Sequence, residues 1–275
     1  MPLALLPDRA IVAVAGADAS RFLQDLLTCN VETLPEDETR LGALLSPQGK
    51  ILFDFLVSRA PDGYRLDVAR DRVPDLVKRL TLYRLRAKVT VEASRLAVAA
   101  GWDTPAPSPA IRDGRLPALG WRLYATEDAM PPADADAAAY TAHRIALGVP
   151  EGGTDFAYGD AFPHEALMDQ LGGVDFRKGC YVGQEVVSRM QHRGTARTRI
   201  VPLVYRDGEP APAGAPVTAG ERSLGQTGGG AGGRGLATLR LDRVAEAVAA
   251  GETVLAGGRP VAVEKPAFAT FAWPA

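Results

Sequence analysis

The stretch VDFRKGCYVGQEVVSRMQHRGTARTR (174–199) holds most of the recognisable chemistry of this sequence. It carries Arg177, Lys178, Arg189, His192, Arg193, Arg197 and Arg199, opposed by Asp175 and Glu185 alone. Cys180 sits between Gly179 and Gly183, and the pattern GQEVVSRMQ predicts a helix starting near Gly183. A thiol at a helix N-terminus beside Lys178 and Arg177 has the surroundings that lower a thiol pKa and raise its nucleophilicity. The alternative is that Cys180 is a small buried hydrophobe and the arginines form a solvated face.

Working outward, the segment IVAVAG (11–16) reads as a strand, followed by a helix that Asp18 or Ser20 can cap, with Phe22, Leu23, Leu26 and Leu27 at helical spacing. A meander comes next: strands at 41–46, 50–59 and 64–70, joined by Pro47-Gln48-Gly49 and Pro61-Asp62-Gly63. Proline presets φ and glycine accepts positive φ, so both tripeptides are turns. In the second strand Ile51, Phe53, Phe55 and Val57 alternate with Leu52, Asp54, Leu56 and Ser58, which puts Asp54 on the face opposite the aromatics. An unpaired buried carboxylate is costly, so Asp54 lies either on a wet face or in a site. The spacing predicts a helix over 71–85, strands at 88–94, 96–102 and 115–126, a proline-rich loop at 103–110, a helix over 137–148, and a short helix or loop at 164–172. After Arg199, short strands joined by glycine turns have the texture of a small all-β barrel. Together these elements read as α+β. Gly228, Gly230 and Gly233 fit GxGxxG, but the strand–helix context of a dinucleotide site is missing, and the expected structure is a β-turn loop.

Composition bounds the rest. The chain has 275 residues, 31 Lys and Arg against 33 Asp and Glu, and a formal net charge of −2. That balance argues against a surface coated for nucleic-acid binding, though it permits a local basic patch. Cys29 and Cys180, the two cysteines, are too few for a disulfide framework, a zinc cage or a four-thiolate cluster. No apolar run is long enough for a membrane span, and MPLALLPDRA lacks the layout of a signal peptide, so the expected address is the cytoplasm.

The order Lys178-Gly179-Cys180-Tyr181-x-Gly183-Gln184-Glu185 closely resembles the defining motif of the YgfZ family of folate-binding proteins, relatives of the aminomethyltransferase (T-protein) of the glycine cleavage system. GADASRFLQDLLTCNV (16–31) resembles the family's opening helix, and SPQGKILFDFLV (46–57) its first hairpin; the likeness covers nearly the whole chain and is weakest in 100–135. It implies a three-domain ring around a central channel for tetrahydrofolate. The implied domains are a discontinuous α+β domain (1–45 with 136–198), a ferredoxin-like domain (46–135) and a C-terminal β-barrel (199–275). The implied function is support of iron–sulfur cluster assembly or repair, and through it tRNA modification. Partners would be reduced folate and iron–sulfur enzymes or their assembly factors, with direct nucleic-acid binding not expected.

The resemblance also assigns residues. Cys180, Lys178 and Asp54 are the implied catalytic groups. Asp54, Glu165, Arg144, Tyr181, Gln184, Glu185 and Arg189 are the implied folate contacts, and no metal ligands are expected. Glu165 aligns with a pterin-binding glutamate, and a carboxylate suits the N–H donors of a pterin edge. Around Arg144 the acidic residue of the relatives' pattern is missing, since Ala146 and Leu147 occupy its place. Tyr158 is a weaker candidate, and His164 reads as a surface or packing residue. The competing reading is a folate-dependent aminomethyltransferase, from which the motif and the shorter chain depart.

Overall fold

Alternation along Ile51–Ala60 decides the first sheet: Phe53, Phe55 and Val57 point into one hydrophobic core, and the strand pairs on both sides. The computed structural model describes residues 2–194 and 196–273. The chain divides into two compact units, residues 1–140 with 171–185, and residues 141–170 with 186–275.

The first unit holds two antiparallel sheets. Its larger sheet has the order β3-β4-β5-β2-β6, from β2 (Arg9–Ala15), β3 (Arg40–Leu45), β4 (Ile51–Ala60), β5 (Gly63–Ala69) and β6 (Thr90–Ala93). Helices α1 (Ala19–Leu26) and α2 (Val73–Arg84) cover one face of it, burying Phe22, Leu23 and Leu26 from the first and Leu76 and Leu80 from the second. The smaller sheet, β1-β7-β9-β8, is built from β1 (Leu3–Leu5), β7 (Ala97–Gly101), β8 (Ile111–Arg112) and β9 (Trp121–Ala125). A buried polar network links the two sheets. Asp67 on β5 takes Arg9 Nε at 2.8 Å and the Tyr124 hydroxyl at 3.2 Å, and Arg122 beside it donates to the Tyr140 hydroxyl at 2.7 Å. Buried charges persist only when paired in this way.

Helix α3 (Ala137–Ala146) and helix α4 (Gln184–Arg193) follow in chain order. In the second unit a closed barrel runs β10-β13-β12-β11-β14-β15, from β10 (Thr198–Tyr205), β11 (Pro216–Ala219), β12 (Arg222–Ala231), β13 (Arg234–Arg240), β14 (Val254–Ala256) and β15 (Arg259–Val263). Val201, Leu203, Leu224 and Leu239 fill it, with Val244 and Ala247 of α5 (Leu241–Ala249) packed on them.

Three local expectations change. Asp18 occupies the cap position of α1 without capping it; its carboxylate accepts the Lys88 N–H at 2.7 Å instead. Ser20 lies inside the helix and accepts a hydrogen bond from the Tyr64 hydroxyl. The strand expected over 115–126 is confined to Trp121–Ala125, because Pro117 opens a one-turn 3-10 helix ahead of it. The segment 164–172 takes the loop alternative, as a succession of turns. Finally, Gly228 and Gly230 belong to strand β12, and only Gly232 and Gly233, with φ of 57° and 74°, form the tight turn to β13. Two successive positive φ values are what a two-residue hairpin of the right twist needs.

Candidate functional site

The motif loop is anchored from both sides. Asp175 Oδ1 accepts the N–H of Arg177 at 2.8 Å and of Lys178 at 3.2 Å, a turn that sends the Lys178 side chain back to the end of α1. There its Nζ donates to the carbonyls of Gln24 at 2.5 Å, Leu27 at 2.7 Å and Cys29 at 2.9 Å. These are carbonyls at and just beyond the helix C-terminus, where a cation satisfies orphan acceptors and complements the helix dipole. Lys178 is 8% exposed, and burial holds its ammonium below the ordinary lysine range. The ammonium also lies 5.4 Å from the centre of the Tyr181 ring. Thr28 fastens the same junction: its hydroxyl donates to Gly173 O at 2.6 Å and accepts from Ala43 N–H at 2.9 Å, while its carbonyl takes Asp175 N–H at 2.9 Å.

All three protons of Lys178 are thus spent on backbone. The charge expected to activate Cys180 serves α1 instead, and the lysine's geometry is that of a positioning residue. The two thiols differ completely. Cys29 is fully buried, and burial pushes its pKa up to about 11. Cys180 is exposed and free, so its reading as a small buried hydrophobe falls. Three residues on, Gly183 has φ 81° and lies so close to Ser46 O that a Cβ would stand 2.5 Å from it. Glycine is required there, and α4 begins at the next residue. Gln184 and the exposed Glu185 open that helix, with Glu185 placed to favour its N-terminal dipole.

Two further polar groups of the first unit are buried. Asp54 is 8% exposed and sits opposite Ala43 in the β3–β4 ladder, which removes the wet-face alternative. Tyr181 is buried with no hydrogen-bond partner for its hydroxyl among the described residues, and burial pushes its pKa up to about 12. A buried hydroxyl without a partner costs free energy unless a ligand or water supplies one.

In the second unit Arg144 is fully buried, donating to Asp155 Oδ2 at 2.6 Å and to Val149 O at 2.6 Å. Asp155 also accepts the N–H of Glu151 at 2.9 Å and of Gly229 at 2.8 Å. A Cβ at Gly228 would stand 2.8 Å from Asp155 Cα, so the glycines of β12 are what let Asp155 dock. Asp155, with Glu151 3.5 Å from Arg144 Nε, gives the arginine its acidic partners, and sequence reasoning singled out neither. Glu165 is half-buried, with Oε2 accepting Phe162 N–H at 2.8 Å. It shares with Arg189 a cavity of about 470 Å³ that Arg144 does not line. His164 is a packing residue: buried, held below its ordinary pKa by burial, and joined to Gln191 at 3.0 Å. Tyr158 packs edge-on against Phe156.

Among the described residues no group of three or more His, Cys, Asp or Glu is placed to hold a metal ion, and no helix is long and apolar enough to cross a membrane. The fold is that of the glycine-cleavage aminomethyltransferases. Over 98% of this chain and 86% of the other, it superposes on the crystal structure of aminomethyltransferase T from Bartonella henselae with a TM-score of 0.74, at 18% identity. Residues 197–271 match the CAF17 C-terminal β-barrel domain. The iron–sulfur cluster assembly factor IBA57 homolog of Chaetomium globosum is 31% identical over 91% of this chain and 74% of its own length. The chain belongs to this IBA57/CAF17 family. The homologs of Mycosarcoma maydis and Coccidioides immitis, 37% and 33% identical, are matched over 77% and 75% of this chain. The chain spans 59% and 58% of their lengths. The YgfZ resemblance holds at the level of this wider family, whose named members here are IBA57 factors. These relatives are named mitochondrial, which overturns the cytoplasmic address inferred from composition.

Proposed function

We propose that this chain is an iron–sulfur cluster assembly factor that binds a reduced folate and works through Cys180. The observation that carries the reading is the motif loop: Lys178, Asp175 and Thr28 hold a glycine-flanked thiol at the surface of a rigid junction. A free, exposed thiol on a fixed support is suited to transient contact with iron or sulfur on a client protein. The relatives are named for iron–sulfur cluster assembly, which supports that class of client.

A reduced folate carries one-carbon units on N5 of its pterin ring and on the neighbouring N10 of its aminobenzoyl part. In this reading the carboxylate of Asp54 takes pterin N–H donors and the Tyr181 hydroxyl gains the partner it lacks among the described residues. Glu165 offers a second carboxylate.

Two measurements separate the parts. In cells lacking the chain, the wild type restores the activity of an iron–sulfur dehydratase, and Cys180→Ala fails to restore it while leaving the melting temperature unchanged, as an exposed side chain should. Full restoration by Cys180→Ala ends the thiol's role. Calorimetric titration with tetrahydrofolate shows binding that Asp54→Asn weakens about tenfold, the scale of one lost charge-assisted hydrogen bond. Absence of heat with the wild type removes folate from the proposal and leaves the thiol test standing.

A further inference from the structure

The cavity beside Glu165 is unusual in its charge. Arg189, Arg193, Arg197 and Arg240 line it, in a chain whose acids outnumber its lysines and arginines overall. Two of the four share one acid: Arg240 makes a two-point contact with Asp242 at 3.0 and 2.6 Å, and Arg197 lies 3.9 Å from the same carboxylate. Glu165 turns one oxygen to the Phe162 N–H. Arg189 and Arg193 are exposed and have no ion pair among the described residues. They stand four positions apart on α4, where like charges repel each other. Concentrating cations in this way is unfavourable unless an anion arrives from outside.

The floor between the arginines is apolar, formed by Val186 and Met190. We propose that this cleft docks an acidic segment of a partner protein, with carboxylates on Arg189 and Arg193 and an apolar side chain between them. Arginine forks match carboxylates in two-point geometry, and methionine adapts to varied side chains. A nucleic-acid strand fits less well, because Phe162 is the one aromatic side chain in the lining and single-strand binders stack bases on several. The inference stands apart from the folate reading, and it gives Arg189 a protein ligand in place of the folate contact expected of it.

The test uses the full chain and a fluorescein-labelled hexapeptide alternating Glu and Leu, followed by fluorescence anisotropy. The peptide binds, more weakly as salt rises, and a Gln–Leu peptide binds at least about tenfold more weakly. Arg189→Gln with Arg193→Gln lowers affinity for the acidic peptide at least about tenfold with the melting temperature unchanged. Unchanged affinity in that variant overturns the proposal. So does an oligonucleotide of equal charge that binds as tightly with the same arginine dependence. Displacement of the peptide by tetrahydrofolate bearing a glutamate tail, but not by the monoglutamate, also overturns it and assigns the cleft to folate.

Discussion

The motif loop of the first unit and the arginine cleft of the second come from one basic stretch of sequence, and they treat charge in opposite ways. Lys178 is buried, with every proton on a carbonyl. Arg189 and Arg193 are exposed and make no ion pair among the described residues, although Glu165 lines the same cleft. Desolvating an ammonium costs several kcal/mol, and three acceptors at a helix end offset part of it. Charges left in water incur no such cost and hold nothing together. The buried cation therefore belongs to the architecture, and the exposed pair is available to something outside the chain. Each variant below breaks or sharpens that contrast.

The largest effect belongs to Lys178→Met. The thioether keeps the stem's volume but leaves three carbonyls at the end of α1 without their donor. Unmet buried acceptors cost roughly 1–3 kcal/mol each, and relief of the lysine's own desolvation offsets part of this, so the expected loss is about 3–4 kcal/mol in denaturant unfolding. A loss below about 1 kcal/mol, within reach of an ordinary surface change, shows that Lys178 does not hold the junction.

This role was illegible in the sequence for a definite reason. Lys178 reaches residues about 150 positions earlier in the chain, and no local pattern encodes such a contact. Arg144 shows the same limit at shorter range: its partners, Asp155 and Glu151, come from the loop after α3, and no local pattern announced them. What could be read was what is set by periodicity and turn chemistry. The meander of β3, β4 and β5, the helix after it and the closed barrel followed from alternation, Pro-x-Gly turns and Gly turns. Asp54 was half legible. Alternation put it opposite the aromatics, but its burial depends on what covers that second face, which a single strand does not record.

The second effect lies in the thiol that the loop conceals. Burial raises the Cys29 pKa from 9.0 to about 11. Below pH 9 the thiol is neutral in both folded and unfolded chains, and its contribution is complete. As pH rises from 9 to 11 the unfolded chain ionises first, so stability is lost across that window, by about 2–3 kcal/mol. Cys29→Ala removes this part of the slope. The difference between the two unfolding curves therefore shrinks with rising pH, and a constant difference means that Cys29 is not sealed from water. Cys180, exposed in the same unit, gives the internal reference: a thiol reagent at neutral pH modifies one cysteine quickly and the other only when the chain unfolds.

The smallest effect is the most diagnostic of the contrast. Arg189→Gln with Arg193→Gln removes two cations that no acid holds, so no ion pair is lost on folding. It removes a repulsive pair at i,i+4 on α4, worth roughly 0.2–0.5 kcal/mol, but also the i,i+4 attraction between Glu185 and Arg189 and the favourable placing of Arg193 in the helix's last turn, which are of similar size. Glutamine is nearly as good a helix former as arginine, so propensity leaves the balance unchanged. The repulsion and these attractions oppose each other, so the expected outcome is a stability within about 0.5 kcal/mol of the wild type, with any change fading as salt screens the exposed charges. A destabilisation above about 1 kcal/mol means that these arginines are bound to the fold as Lys178 is, and the distinction between a structural cation and a docking cation disappears. Unfolding curves at two salt concentrations decide it, because repulsion between exposed charges changes with salt and a buried ion pair is much less sensitive.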